Sequence, residues 1–325
     1  MSEHLTSASA DSGRATSAGR GLRYLFVHAH PDDETLATGV ALSTLVRQGH
    51  EVHVLTCTLG EEGEVIPAEL AHLAADADDT LGPYRRHELR AAMARLGVRE
   101  HVLGEDPASR TGSAYRDSGM ADTPANADPR SWVAADEAAG VEAIRAHLRQ
   151  VAPDVVVTYD EHGGYLHPDH VTVHRRVRAA VAALPPQARP ALYVTLVPQD
   201  VAARDRAWVA EHVGPDAESA GVTIPAPEDP YPPSVVDPEL VTHEIAGDAA
   251  DLAARDEALR HHATQVTVGP GYYALSNDIA ARLPTSDYFA ALDPDTGALL
   301  PADAAPPSAA AGRGRVQGLP TGAVR

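Results

Sequence analysis

Short apolar runs alternate with amphipathic stretches from Tyr24 to about residue 265, and this alternation restricts the chain to βα units wound around a sheet. Tyr24–His28 is the first predicted strand, Leu36 to Gln48 a helix closed by Gly49, and Val52–Thr56 the second strand. A helix from about Tyr84 to Leu96 stops at Gly97, Val102-Leu103 begins a short third strand, and Asp136 to Val151 is a further helix. Val155–Tyr159 is a β-branched run of the kind buried on both faces of a parallel sheet. A helix at about 170–183, a strand Leu192–Val197, a helix Val201–His212, a run Val241–Ile245 and a helix from Asp248 to Gln265 complete the series. The expected class is α/β: a Rossmann-like, mostly parallel sheet flanked by helices, with a smaller C-terminal portion.

Residues 1–20 are polar and aperiodic, and 301–325 are rich in Pro, Ala and Gly; both are expected as disordered tails around one domain spanning 21–300. Two segments, 104–135 and 215–238, are too long for ordinary connections. The first is expected to wall a pocket and the second to cross the surface. Gly269-Pro-Gly271 lacks the third glycine and the preceding strand of a dinucleotide fingerprint, and is expected to bend the chain near the pocket.

The formal charge is −20 and all 26 basic residues are Arg, a balance that opposes a phosphate backbone and removes nucleic acid from the expected partners. No stretch approaches the roughly 18 apolar residues of a membrane span, and the N-terminus lacks the apolar segment of a signal peptide. No membrane association is expected, and the cytoplasm is the default compartment. Cys57 is the single cysteine, so any metal must sit on His and carboxylates. At a strand end, Cys57 itself reads as a small buried apolar residue rather than a nucleophile.

His28-Ala-His30-Pro31-Asp32-Asp33-Glu34 directly follows the first strand, at the carboxyl edge where ligands bind in open α/β sheets. Acidic residues at a helix start can simply cap it. The second segment, Tyr159-Asp-Glu-His162-Gly-Gly-Tyr165-Leu166-His167-Pro168-Asp169-His170, follows another buried strand, so its loop emerges on the same edge. Two His and one carboxylate make a catalytic zinc set with one position left for water. Fe2+ sites share that donor set, though their usual scaffold is a β-sandwich. His174, one turn on, reads as a solvated histidine, and Glu34 as either a helix cap or a partner of a metal-bound His.

Ala29-His30-Pro31-Asp32-Asp33-Glu34 with His167-Pro168-Asp169-His170 resembles the LmbE/PIG-L family of zinc-dependent N-deacetylases, and the likeness runs through Arg85-Arg-His-Glu88-Leu89 to His262-Ala-Thr264-Gln265. The resemblance implies His30, Asp33 and His170 as ligands of one Zn2+ per subunit, with Fe2+ as the alternative ion. It implies Asp32 as general base, and Tyr165, His167 and Asp169 around the reacting carbonyl. Within the family, Gly60-Glu-Glu-Gly-Glu64 and Arg116-Asp117-Ser-Gly-Met120 resemble the branch acting on N-acetylglucosaminyl-inositol in mycothiol biosynthesis, which makes Arg85, Asp117 and Glu64 candidate contacts to substrate hydroxyls. The expected reaction is hydrolysis of that acetamide to amine and acetate. A sister amidase acting on thiol conjugates is the alternative, and it tends to carry a Lys where this chain has Thr35-Leu-Ala-Thr-Gly39. A sugar-binding module without activity would have no use for Asp32. Two positions depart from the family pattern: His162 stands in place of Asn, and Leu166 in place of Gly. In its charged form His167 could protonate the leaving amine, with the Asp169 carboxylate orienting the ring; return of the proton by Asp32 is the other route.

Overall fold

A computed structural model describes residues 21–105, 112–302 and 304; the expected N-terminal tail, and nearly all of the expected C-terminal one, lie outside these. Strand β1 (Arg23–His28) is buried along five of its six residues. Its side chains alternate between two cores. Tyr24 and Phe26 face helices α1 (Asp33–Arg47) and α2 (Leu81–Leu96), while Leu25 and Val27 face α3 (Glu137–Val151) and α4 (Pro168–Ala182). A strand covered on both faces must be apolar throughout, which accounts for the run in β1 and again in β4 (Val155–Tyr159).

With β2 (Glu51–Thr56), β3 (Arg99–Val102) and β5 (Ala191–Pro198), these strands form a parallel sheet in the order β5-β4-β1-β2-β3. The chain order reverses between β1 and β4. In doubly wound sheets that reversal opens a crevice at the strand carboxyl ends. Both metal-type segments leave the sheet at this crevice, one from His28 and the other from Tyr159.

Beyond β5 the architecture departs from the expected pattern. Helix α5 (Gln199–His212) leads to short strand β6 (Val235–Val236), paired with β5, and then to β7 (His243–Ala246). Helix α6 (Ala249–Leu259) follows, opened by a capping box on Asp248 and Asp251. It stops six residues before the expected end at Gln265, so His262, Thr264 and Gln265 lie in the turn beyond it. Strands β8 (Thr267–Gly269), β9 (Tyr272–Ala274) and β10 (Ala281–Arg282) form a small antiparallel sheet. Gly269-Pro-Gly271 is the tight corner of its first hairpin, and a Cβ on Gly271 would meet the Trp208 ring at 2.7 Å. Strand β11 (Ser286–Leu292), absent from the sequence reading, then runs antiparallel between β5 and β12 (Leu299–Leu300), with β7 also along it. No helix among the described residues is long and apolar enough to cross a membrane.

One buried cation ties the loop before α3 to α4. Arg176 is fully buried, stacks 4.2 Å from the Trp132 ring centroid, and donates to the carbonyls of Trp132 and Ala135 at 2.7 and 2.6 Å and to Glu137 at 3.0 Å. A Lys cannot reproduce this fork or the stacking. Arg176→Lys should therefore cost roughly 1–3 kcal/mol, the penalty for orphaning a buried carbonyl, with denaturant unfolding as the measurement.

Candidate metal centre and active site

Helix α1 begins three residues earlier than its apolar pattern suggests, so Asp33 and Glu34 occupy its first turn and Asp32 its N-cap. Helix α4 likewise begins at Pro168, a residue suited to the first helical position, and this puts Asp169 and His170 in its first turn. The two helix starts face each other across the crevice.

His30 and His170 are each held in one tautomer. The Nδ1 of His170 lies 3.1 Å from the Gly163 carbonyl, which can only accept, so Nε2 is left with its lone pair. The Nε2 of His30 lies 3.2 Å from Asp169 Oδ2 and 3.3 Å from Asp117 Oδ1, so it donates there and Nδ1 keeps its lone pair. Those two free nitrogens are 3.2 Å apart, and Asp33 Oδ2 lies 3.2 Å from the one and 3.4 Å from the other. Three electron-pair donors thus converge, and only a proton or a cation can hold them together. Ligands about 2.0–2.1 Å from a tetrahedral ion are separated by roughly 3.3–3.4 Å, so the triangle fits such an ion. Wider groupings of His30 with His167 and His170, and of His30 with Asp117 and Asp169, also bring ligand atoms within 4.8 Å of one another. The first leaves out the nearest carboxylate. The second lies on the nitrogen of His30 turned away from His170.

Electrostatics agree with a demand for positive charge. Burial lowers the pKa of His30, but Asp117, by charge and hydrogen bond, and then Asp169 and Asp33 raise it well above the ordinary value. Burial acts upward on Asp33, and His170 and His30 together hold it well below the usual carboxylate range. Burial pushes Asp32 up to about 6, against the pull of Arg85 and with the help of Asp33.

His167 differs from the expectation. Its Nδ1 accepts the Asp169 backbone N–H at 3.2 Å as the N-cap of α4, while the Asp169 carboxylate turns away toward His30 and the Ser118 N–H. The carboxylate therefore does not orient the His167 ring. Burial, then the nearby His30 and His170, push His167 down to about 3, which favours the neutral ring; with Nδ1 accepting, its N–H is on Nε2. That direction disfavours the charged form of His167 and leaves return of the proton by Asp32 as the other route. Tyr165 is 49% exposed and lies edge-on to His170. Leu166 adopts φ 70°, the left-handed conformation that Gly enters freely and Leu enters at about 1–2 kcal/mol, which explains why Gly suits this position.

The candidate sugar contacts separate. Asp117 is buried against His30 and accepts the backbone N–H groups of Glu62 and Gly119, so little of its carboxylate is left for a hydroxyl. Arg85 is also buried and donates to the Pro31 and Gly60 carbonyls, with Asp32 Oδ1 3.3 Å away. It clamps the two loops rather than offering its fork to solvent. Glu64 is exposed, and its carbonyl accepts from Gln265. The strings 60–64 and 116–120 do come together, joined by Glu61 and Glu62 to Asp117 and by Glu62 to Arg116.

Three residues carry roles that the sequence did not reveal. The Tyr159 hydroxyl donates to Asp33 Oδ2 at 2.7 Å and accepts the Ala29 N–H, and its ring stacks on His170 at 4.3 Å. Its place at a strand end was the only available signal. His174, read as solvated, is buried with Nδ1 2.9 Å from the Tyr159 carbonyl. Glu34 is fully buried, and its partner is His262 rather than a candidate metal ligand.

A family model described as PIG-L, GlcNAc-PI de-N-acetylase, matches residues 25–181. Three curated relatives carry the name 1D-myo-inositol 2-acetamido-2-deoxy-alpha-D-glucopyranoside deacetylase. The protein of Streptomyces scabiei is 44% identical over 83% of this chain and 84% of its own length. That of Rhodococcus opacus is 45% identical over 82% and 90%, and that of Thermomonospora curvata 40% identical over 92% and 97%.

Tyr159→Phe removes the hydroxyl that fixes Asp33 while sparing the ring stacked on His170. Metal affinity, measured by competition with a chelating dye, should fall about 10- to 100-fold, as for other groups that orient a ligand.

Proposed function

This chain belongs to the PIG-L family, and on that premise we propose that it hydrolyses the acetamide of 1D-myo-inositol 2-acetamido-2-deoxy-alpha-D-glucopyranoside to the free amine and acetate, the deacetylation step of mycothiol biosynthesis. It is an amidohydrolase, and the unit that acts is residues 21–300. The observation that carries the reading is the convergence of His30 Nδ1, His170 Nε2 and Asp33 Oδ2, with the Asp32 carboxylate on the adjoining residue. The substrate identity rests on the three relatives and on the meeting of strings 60–64 and 116–120 beside His30. The same reading keeps the reaction in the cytoplasm.

His30, Asp33 and His170 would hold Zn2+, with Fe2+ served by the same donors. Such an ion supplies Lewis acidity, making water a better nucleophile and the amide carbonyl a better electrophile. Asp32 accepts the proton of the attacking water. Burial helps here, because a carboxylate near 6 stays ionised at neutral pH and remains basic enough to take a proton. His167, neutral and with its proton on Nε2, donates a hydrogen bond to the developing oxyanion. The N–H of a neutral imidazole is far too weak an acid to protonate the leaving amine, so Asp32 returns the proton it took. Tyr165, half exposed beside His170, would contact the acetyl group, and Asp169 and Asp117 hold the His30 ring. Glu64 remains open to substrate hydroxyls, and Arg85 acts by holding Asp32 and its loop.

His30→Ala, Asp33→Ala and His170→Ala should each purify with little metal, whereas Asp32→Asn should keep its metal and lose about 10²–10⁴ in rate. Elemental analysis beside an acetate-release assay checks both; normal stoichiometry in the first three rejects the ligand set, and near-native turnover of Asp32→Asn removes it as base.

A pocket that hydrogen-bonds a polyol leaves groups unpaired when the polyol is missing. Free N-acetylglucosamine should therefore react with kcat/KM lower by about 5- to 150-fold per lost contact. Equal kcat/KM for the two sugars, or preference for a thiol conjugate, overturns the substrate assignment.

A further inference from the structure

Asp32 has φ 114° and ψ −35°, well outside the regions that residues with a side chain adopt at low cost. Such an outlier persists only where the surroundings enforce it. On one side, the Asp32 carbonyl is fixed by α1, accepting the N–H groups of Thr35 and Leu36 at 3.0 and 2.9 Å. On the other, its N–H donates to Glu34 Oε2 at 3.0 Å.

Glu34 is itself under constraint. Its side chain is 0% exposed, and a carboxylate sealed from water needs donors for its oxygens. Thr35 donates to Oε1 at 2.6 Å, and His262 Nε2, also 0% exposed, lies 2.9 Å from the same oxygen. A carboxylate oxygen can only accept from an imidazole N–H, so His262 is the donor. It arrives from the turn beyond α6, which is docked on α1 separately, through Asp251 to Ser43, Thr44 and Arg47. The Glu34–His262 contact is thus not needed to hold the two helices together. What it adds is a fixed direction for the carboxylate that grips Asp32.

We propose that His262 is a positioning residue for the hydrolysis: through Glu34 it holds the Asp32 backbone in the left-handed turn that presents the Asp32 carboxylate to the reaction. Without the His262 donor, Glu34 turns toward other partners, the Asp32 N–H is released, and the residue relaxes toward an ordinary conformation with its carboxylate displaced. The inference rests on Asp32 being the general base.

The test is a double-mutant cycle on the metal-loaded enzyme, joining His262→Leu with Asp32→Asn and reading kcat, KM and bound metal. His262→Leu should lower kcat about 10- to 100-fold, the scale of a misplacement near 1 Å, while KM and metal content stay within about twofold. His262→Gln, which carries an N–H at a comparable reach, should recover most of that loss. In the Asp32→Asn background the same His262→Leu change should cost less than about twofold, because the residue it positions is already disabled. An equal fold-loss in both backgrounds overturns the proposal, as does unchanged kcat or a fall that tracks lost metal. Should His262→Leu fail to fold, Glu34→Gln takes its place in the cycle with the same criteria. Failure of the underlying reading looks different: Asp32→Asn alone then turns over at a near-native rate.

Discussion

Three lone pairs from two loops, held 3.2–3.4 Å apart, repel one another unless positive charge sits among them, and much of the surrounding structure serves to keep them there. Each histidine is restrained through the nitrogen that it does not use at the centre, and Asp33 through the same Oδ2 that it presents there. The Gly163 carbonyl holds the far nitrogen of His170, Asp117 and Asp169 hold that of His30, and the Tyr159 hydroxyl and the His30 N–H hold Asp33. The backbone is shaped to the same end. Gly163 has φ 59°, and a Cβ there would stand 2.5 Å from the Cβ of His170, so only glycine lets the loop carbonyl come so close to the ring it orients.

The two residues proposed to act on the substrate, Asp32 and His167, are held differently. Asp32 and His167 are both N-caps, of α1 and α4, and so each occupies the one residue at a helix start whose backbone is free of helical geometry. His167 uses its imidazole for the cap, which leaves one N–H to point elsewhere. Asp32 makes no side-chain cap, and its carboxylate is thereby free for chemistry. The cost is a strained backbone, offset by Glu34 and, from the far end of α6, by His262. Strain at Asp32 and order at Asp33 and His170 are two outcomes of the same pair of helix starts.

Much of this was legible in the chain. The apolar runs of β1, β2 and β4 are long enough and β-branched enough to be read as buried parallel strands, and the metal-type segments follow two of them directly. Strand β11 was not legible. Ser286–Leu292 mixes Ser, Asp, Tyr and Ala with its apolar residues, and its place beside β5 depends on a partner some ninety positions earlier rather than on local pattern. The starts of α1 and α4 escape the apolar pattern for a similar reason. The polar first turns of α1 and α4 have no apolar periodicity, since they face the centre instead of the core.

Residue type and order by themselves determined which groups could bind a metal, because only His and carboxylates were available in a chain with one cysteine, and which two loops carried them, because strand polarity sends both to the same sheet edge. Tertiary structure alone decided what each group does. Whether the Asp169 carboxylate meets His167 or His30, whether Arg85 meets a sugar or a carbonyl, and whether Glu34 has a partner 228 positions away all turn on side-chain directions at helix starts. Those directions are set by contacts across the crevice between β1 and β4, and a contact between segments distant in sequence leaves no periodic mark in either one.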